Sequence, residues 1–327
     1  MRAAARTRSA LVVLGVCGVL AGGASPLQAA EPGIWSTKAP MPAAREDVGA
    51  VAFEGKIYVL GGTAHADAQI ARNEEYDPTT DRWRARASMP RGTHHLAVAL
   101  LNGKIYAFGG FTAPAHGAPV DIAFEYDIKA DGWRVLPKLS SPRGSPAAVG
   151  LDGKLHVVGG RGPDGATVAT HEALDPVSGQ WTALAPLPKA RDHIGLIAID
   201  GKIHAIGGRL ASTNTNQPLH DIYDPATNAW VAAAPMPTPR SSVGITQYRG
   251  MILVVGGEGD ATGPGSAFKD NEGYDLKTGQ WLKLAPLPLG KHALGAATVG
   301  SAAYFPGGSS TRGGAGVTAE TMVFTLP

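Results

Sequence analysis

The chain has 327 residues with 29 basic and 27 acidic side chains, a formal net charge of +2 and one cysteine, Cys17. Three of the basic residues, Arg2, Arg6 and Arg8, lie within the first thirty residues, which contain no Asp or Glu. Without that segment the balance is 26 basic against 27 acidic side chains. A near-neutral chain without a basic stripe lacks the electrostatic signal of a nucleic-acid-binding or anionic-membrane-binding protein.

Residues 1–30 have the features of a secretory signal peptide. Basic residues precede the apolar run 10–21, and small residues follow it. The run is too short for a stable membrane-spanning helix. Lipoprotein processing at Cys17 is an alternative, but the bulky Val16 disfavours it. We therefore expect a secreted or periplasmic protein whose single domain, residues 31–327, contains no disulfide.

A double glycine recurs six times, at intervals of 48, 50, 48, 49 and 51 residues. The pairs are Gly61-Gly62, Gly109-Gly110, Gly159-Gly160, Gly207-Gly208, Gly256-Gly257 and Gly307-Gly308. The tryptophans follow the same intervals, at Trp35, Trp83, Trp133, Trp181, Trp230 and Trp281. A period near fifty with glycine and aromatic positions in each copy is typical of a β-propeller, with one blade per copy.

The first copy shows the four strands of a blade. Two apolar stretches, residues 48–53 and 57–60, flank Glu54-Gly55, and the next three copies place Asn-Gly or Asp-Gly at this joint, which predicts a hairpin. After the glycine pair, a loop leads to residues 73–78, where Asp-Pro marks a turn. Residues 83–87 read as the last strand. Each copy therefore predicts four short antiparallel strands.

These marks resemble the Kelch repeat: a strand ending in Gly-Gly, a Tyr-Asp-Pro some fifteen residues later, and a Trp beyond it. The resemblance covers essentially all of the chain after residue 30, with Leu174 replacing the tyrosine in the third copy. It implies an all-β fold, a six-bladed β-propeller with four antiparallel strands per blade. The tryptophans and a recurring basic residue are expected to pack between blades. The basic residues are Arg45, Arg91, Arg143, Arg191, Arg240 and, in the last copy, Lys291.

The sixth blade is predicted to combine the two ends of the domain. In other copies Trp follows the glycine pair by 22 to 25 residues, so a sixth copy would need one near position 330, beyond Pro327. Trp35 precedes the first glycine pair and has no blade of its own. We expect residues 34–39 to form the outer strand of blade six, which closes the ring and removes an exposed sheet edge.

Successive copies are joined by a connector, the Pro-containing stretch and basic residue that follow each tryptophan strand. Strand direction places these connectors, the residues after each glycine pair and the long loops at one rim. Two positions per blade should face the channel mouth there, one just after the connector and one just after the glycine pair. The Kelch resemblance implies that ligand-binding members use both. The candidate ligand-binding residues are Glu46, Thr63, His94, Phe111, Arg161, Asp192, Arg209, Ser241, Glu258 and His292. Arg161 and Arg209 could form a fork for a carboxylate. Alternatively, the arginines and acidic residues pair with one another in a solvated network.

Two functions stay open. We expect a monomeric, non-catalytic module that binds an unidentified protein or glycan through this rim, with exposed aromatic residues such as Phe111. The alternative is a resemblance to the sialic acid epimerases or mutarotases. There, Arg161 or Arg209 would hold the sugar carboxylate, and Glu258 or Asp192 would transfer protons.

Other chemistry is not predicted. Galactose oxidase shares this repeat, but its copper chemistry depends on a cysteine bonded to a tyrosine, and the chain after residue 30 has no cysteine. The histidines show no His-x-x-x-His or comparable spacing. No phosphate loop, Gly-x-Ser-x-Gly motif or nucleic-acid motif is present. We therefore assign no cofactor, metal site or catalytic residue from the sequence.

Overall fold

The structure, a computed structural model, describes residue 1 and residues 31–64, 70–114, 116–259 and 267–327. The predicted signal peptide lies outside this part of the chain, apart from its first residue, and stays a prediction. No helix among the described residues is long and apolar enough to cross a membrane.

Six four-stranded antiparallel sheets confirm the predicted blades. Blade one consists of β2 (Gly49–Phe53), β3 (Lys56–Leu60), β4 (Asn73–Asp77) and β5 (Arg82–Arg86). Blade two consists of β6 (Ala97–Leu101), β7 (Lys104–Phe108), β10 (Ala123–Asp127) and β11 (Gly132–Val135). A short hairpin of β8 (Phe111–Ala113) and β9 (Gly117–Pro119) interrupts blade two. Blade three consists of β12 (Ala147–Leu151), β13 (Lys154–Val158), β14 (His171–Asp175) and β15 (Gln180–Ala183).

The second half of the ring repeats this order. Blade four consists of β16 (Gly195–Ile199), β17 (Lys202–Ile206), β18 (His220–Asp224) and β19 (Ala229–Ala232). Blade five consists of β20 (Gly244–Tyr248), β21 (Met251–Val255), β22 (Asn271–Asp275) and β23 (Gln280–Leu284). Blade six consists of β24 (Ala297–Val299), β25 (Ala302–Pro306), β26 (Thr321–Thr325) and β1 (Ile34–Lys38). Single 3-10 turns lie at Thr213–Thr215 and Arg312–Gly314.

The predicted ring closure is confirmed. Strand β1 pairs antiparallel with β26, with Trp35 opposite Phe324. The two rings lie 5.0 Å apart between centroids, and the Trp35 indole N–H donates to the carbonyl of Ala285 at 2.7 Å. The first described strand thus completes the last blade and covers the edge of β26.

Every tryptophan ties its blade to a neighbour. Each indole N–H donates to a backbone carbonyl of the adjacent connector at 2.7–3.0 Å. The accepting residues are Ala285, Ala39, Ala87, Pro137, Ala185 and Ala234. A half-buried indole with its one polar atom satisfied is the expected state of a packing tryptophan. The predicted role of these residues is confirmed.

The glycine pairs join successive blades through the backbone. Gly61 and Gly62 both have positive φ, 63° and 92°. A β-carbon on Gly62 would lie 2.4 Å from the carbonyl oxygen of Glu46, so a side chain does not fit. The Gly62 N–H donates to the carbonyl of Thr93 in the next blade at 3.1 Å. Glycine is required here because the backbones approach too closely for a side chain.

One predicted packing residue is wrong. Arg91 is exposed, and the blade-two position equivalent to the buried arginines is Thr93. In the other blades the basic residue forms a buried or half-buried ion pair across the sheet. These pairs are Arg45–Glu74, Arg143–Glu172, Arg191–Asp221, Arg240–Glu272 and Lys291–Glu320. In blade two the carboxylate position is also apolar, at Phe124, so both charges are absent together. A buried charge is costly without its partner.

Candidate functional site

The two predicted position classes lie side by side in each blade. Each connector residue forms an antiparallel bridge with the residue after the glycine pair of the same blade. These bridges are Glu46–Thr63, His94–Phe111, Gly144–Arg161, Asp192–Arg209, Ser241–Glu258 and His292–Ser309. In the first, Glu46 and Thr63 exchange two backbone hydrogen bonds, at 3.0 and 2.9 Å. The candidate residues therefore occupy one layer at one end of the channel.

The next residue of every connector forms a closed backbone ring. These six residues, here called the channel ring, are Asp47, His95, Ser145, His193, Ser242 and Ala293. Each has a φ between 49° and 56°. The N–H of each donates to the carbonyl of its counterpart in the preceding blade, at 2.8–3.3 Å, and Asp47 donates to Ala293 to close the circle. This ring is not among the residues predicted from the sequence, although each of its members directly follows the connector residue of its blade.

A cavity of 320 Å³, here called the mouth pocket, opens beside the channel ring. Six of the ten candidate residues line it, namely Glu46, Thr63, His94, Arg209, Glu258 and His292. The lining also includes Asp47, His95, His116 and Ser242, which the sequence analysis did not select. Phe111, Arg161, Asp192 and Ser241 do not line it. A larger cavity of 610 Å³ lies among the innermost strands, but small apolar side chains dominate its wall.

Glu46 is a buried carboxyl group that hydrogen-bonds Ser309 and lies near two other carboxyl groups, Asp47 and Glu258. Burial, together with the negative charges of Asp47 and Glu258, raises its pKa to about 8. Its Oε2 atom has no hydrogen-bond partner. Gly314 makes room for it, since a β-carbon there would lie 2.2 Å from Glu46 Oε1. Glu46 is therefore mostly protonated at neutral pH and faces a pocket large enough for a small ligand.

Arg209 holds the opposite wall through an ion-pair network. Its guanidinium pairs with Glu258, approaches Asp192 Oδ1 at 3.4 Å, and donates from Nη2 to His193 Nε2 at 2.9 Å. The predicted alternative of mutual pairing thus describes Arg209. Arg161 is different, because its Nε donates to the Gly165 carbonyl at 2.8 Å and no carboxylate among the described residues forms an ion pair with it. The two arginines do not form a free fork.

Histidines fill the third side of the pocket. His95 Nε2 lies 3.0 Å from Asp47 Oδ1, and His193 Nδ1 lies 2.5 Å from Asp192 Oδ1. His116 sits in the β8–β9 hairpin, and burial lowers its pKa to about 3. Its Nε2 is buried without a hydrogen-bond partner. No repeat position marks His116, so only the fold of the hairpin brings it here.

The predicted exposure of Phe111 is wrong. Its side chain is fully buried, and its ring stacks near His94, His95 and His116 at centroid distances of 5.2–5.8 Å. The ring also fills the space above Gly144, which is the residue of the next blade equivalent to His94. Phe111 therefore supports the pocket wall and is not available to a partner.

The remaining candidates are buried within the rim and differ in their hydrogen-bond partners. Ser241 is fully buried, and its hydroxyl has no hydrogen-bond partner in the described part of the chain. His292 Nε2 lies 2.9 Å from the Thr311 carbonyl. Burial raises the pKa of Asp192, against the opposing effect of Arg209. The rim is thus a layer of buried polar groups around one pocket.

The fold and its repeated rim define a six-bladed propeller of the Kelch class. The chain belongs to the Kelch-repeat family: the KLHDC2/KLHL20/DRC7 Kelch-repeats domain matches residues 94–308, and the Kelch motif matches residues 44–90.

Two known proteins illustrate this relationship. The chain is 26% identical to Kelch-like protein 35 of Mus musculus over 146 residues, which is 45% of this chain and 24% of that protein. The chain therefore spans about a quarter of the length of that relative. A solved structure titled "Structure of YjhT" superimposes with a TM-score of 0.76 at 16% identity, covering 89% of this chain and 97% of the other. That likeness concerns the fold.

Proposed function

We propose that this protein is an acid–base enzyme that interconverts the anomers of a carboxylated sugar, with sialic acid as the substrate. The observation that carries the proposal is the buried carboxyl group of Glu46, whose Oε2 has no hydrogen-bond partner, in the same pocket as the Glu258–Arg209 ion pair. Two carboxyl groups in one pocket with opposite environments are typical of an acid and a base. A volume of 320 Å³ lies in the range of small-ligand sites.

The roles follow from the environments of the two carboxyl groups. Glu46, protonated at neutral pH, would donate its proton to the ring oxygen of the sugar as the bond from that oxygen to the anomeric carbon breaks. Glu258 would accept the proton of the anomeric hydroxyl, which becomes the carbonyl of the open chain. Closure on the other face of the carbonyl reverses both transfers and gives the second anomer. The proposal requires no net gain or loss of protons.

Arg161 is the group best suited to the sugar carboxylate. Arg209 already pairs with Glu258 and contacts His193, whereas Arg161 forms no ion pair with a described carboxylate. Arg161 does not itself line the mouth pocket; its guanidinium contacts the carbonyls of Gly165 and Ala211, and its positive charge lowers the pKa of His116, which does line the pocket. A planar guanidinium binds a carboxylate through two parallel hydrogen bonds.

Binding of a protein or glycan without catalysis is less well supported. That function predicts exposed aromatic residues on the rim, and Phe111 is buried. The large apolar side chains exposed among the described residues are aliphatic, and no two of them are neighbours in the sequence. They are Met1, Ile34, Val135, Val177, Val231, Leu282 and Leu289. Isolated residues of this kind do not define an interaction surface.

Exchange spectroscopy by NMR tests the proposal directly. With the purified protein, exchange between the two anomers of sialic acid should be faster than in buffer. Glu46→Gln should abolish most of the acceleration, while Asp121→Asn, at a half-exposed ion pair with Lys138, should retain it. The rate should decline as pH rises through about 8, because Glu46 then loses its proton.

Two other outcomes would change the assignment. Line broadening of sialic acid without faster exchange would favour the non-catalytic glycan-binding function. Absence of both effects in the wild-type protein would exclude sialic acid as the ligand.

A further inference from the structure

We propose that His95, His116 and His193 bind one divalent transition-metal ion, with Zn²⁺ as the best-fitting ion, at the wall of the mouth pocket. One ligand atom of each residue lies within 4.8 Å of those of the other two. Neutral imidazole nitrogen is a preferred ligand of Zn²⁺. Three protein ligands leave a fourth position of a tetrahedral site open towards the pocket.

The three histidines come from separate parts of the fold and meet edge to face. His95 and His193 belong to the channel ring, in blades two and four, and His116 belongs to the β8–β9 hairpin. Their ring centroids lie 4.7 Å apart for His95–His116, 4.8 Å for His95–His193 and 5.4 Å for His116–His193. The backbone hydrogen bonds of the channel ring fix two of the three side chains at their Cα atoms.

Carboxylates orient the two histidines of the channel ring. Asp47 lies 3.0 Å from Nε2 of His95, and Asp192 lies 2.5 Å from Nδ1 of His193. A metal-binding histidine usually donates its second ring N–H to such a group, which fixes its tautomer and its direction. The other ring nitrogen of each, His95 Nδ1 and His193 Nε2, would bind the ion once it releases its present neighbour, His94 Nδ1 at 2.6 Å and Arg209 Nη2 at 2.9 Å.

The orphaned nitrogen of His116 is the second observation that points to a ligand. Its Nε2 is buried and has no hydrogen-bond partner. A buried polar atom without a partner is energetically unfavourable, so such atoms are rare unless something binds them. A metal ion between the three rings would satisfy this atom.

A neighbouring set, Asp47, His94 and His95, is a poorer site. Its ligand atoms also lie within 4.8 Å of one another. However, His94 Nδ1 and His95 Nδ1 are only 2.6 Å apart and share a hydrogen bond. Two nitrogens on one tetrahedral Zn²⁺ lie about 3.3 Å apart, as follows from a Zn–N length of about 2.0–2.1 Å. The two nitrogens are thus too close together to bind one ion, and they already satisfy each other through a hydrogen bond.

Arg209 competes with the ion. Its Nη2 donates to His193 Nε2 at 2.9 Å, which is the nitrogen that Asp192 leaves open. Metal binding requires Arg209 to release His193 while it keeps its pairing with Glu258. Arg209→Gln should therefore strengthen metal binding, because it removes both a competing donor and a positive charge.

Metal binding does not rest on the proposed catalysis, so the test measures the ion alone. The chelator-treated protein would be titrated with Co²⁺, followed by visible absorption, and with Zn²⁺, followed by calorimetry. We expect one ion per chain and the intense absorption of tetrahedral Co²⁺. His116→Ala should weaken binding at least about 100-fold, and Asp47→Asn about 10- to 100-fold.

His292→Ala is the matched control, because His292 lines the same pocket outside the proposed set and contacts the Thr311 carbonyl. It should bind Zn²⁺ as the wild type does. His116 lies in a surface hairpin, so its variant should keep the circular dichroism and melting temperature of the wild type. Absence of Zn²⁺ binding by the wild type, or equal binding by His116→Ala, would overturn the proposal.

Discussion

The ring of Phe111 fills the space that a side chain at Gly144 would occupy: a β-carbon built on Gly144 would lie 2.0 Å from Phe111 Cζ. Phe111 and Gly144 lie in the rim layer of neighbouring blades. The absence of a side chain at Gly144 leaves the room that the Phe111 ring occupies. Phe111 also contacts His95 and His116, so this packing supports the wall of the mouth pocket.

The first prediction concerns this complementarity. Gly144→Ala should destabilise the protein by about 1–3 kcal/mol, because the buried ring has to shift. Phe111→Leu in the same chain should recover part of that loss, since the shorter side chain leaves room for the methyl group. Chemical denaturation of the two single variants and the double variant measures the coupling. Strictly additive effects would show that the two residues do not interact as described.

The second prediction concerns the buried ion pair of blade five. Arg240 Nη1 donates to Glu272 at 2.7 Å, and both side chains are buried. Arg240→Met should cost about 3–5 kcal/mol, because Glu272 is left as an unpaired buried charge. Arg240→Met combined with Glu272→Leu should be clearly more stable than the single variant. Blade two, with Thr93 and Phe124, already lacks both charges. The denaturation midpoints of the single and double variants test this prediction. A double variant that is less stable than the single variant would contradict it.

The third prediction concerns acid stability and two stacked histidines of blade three. His171 Nδ1 donates to the Ala185 carbonyl at 3.1 Å, so its Nε2 must accept from His156 Nδ1, at 3.0 Å. The pair is therefore neutral. Burial lowers both pKa values from 6.5 to about 4, with Lys154 and Arg143 opposing protonation further.

The sign follows from proton binding. Between pH 6.5 and 4 the unfolded chain binds more protons than the folded one, so stability falls as pH falls through this range and is level above it. His156→Leu with His171→Asn copies the blade-five residues Leu253 and Asn271. This variant should lose about 2–4 kcal/mol less between pH 7 and 4.5. Unfolding free energies at several pH values provide the check; an unchanged slope would refute the assignment. Wild type and variant at pH 7.5 serve as the reference.

The fourth prediction concerns ring closure. Deleting residues 31–42 removes β1, uncovers the Phe324 ring and leaves β26 as an unpaired sheet edge, so the melting temperature should fall sharply. A chain that begins at residue 31 is the control and should melt with a single cooperative transition. Differential scanning calorimetry compares the two chains. Equal melting temperatures would mean that β1 does not stabilise the ring.

Much of the fold could be predicted because the residues that specify it lie within a single repeat. Trp35 without a blade of its own indicated the closure, and the glycine pairs indicated where the blades join. The two rim positions of each blade were also predictable, since strand direction places Glu46 and Thr63 at the same end. The prediction for Arg91 was wrong because an insertion in blade two shifts the packing position to Thr93. Thr93 does not resemble the basic residues at this position in the other blades.

The sequence alone determined the number of blades, their register and the rim, because each depends on a requirement within one repeat: positive φ at glycine, or one carbonyl for an indole N–H. Only the tertiary structure decided the chemistry of the pocket. The pKa of Glu46 depends on its burial and on Glu258, which belongs to a different blade. His116 reaches His95 and His193 through a hairpin that no repeat position marks. The burial, the charges and the ligand geometry of the pocket depend on contacts between residues of different blades. The spacing of residues along the chain does not reveal these contacts.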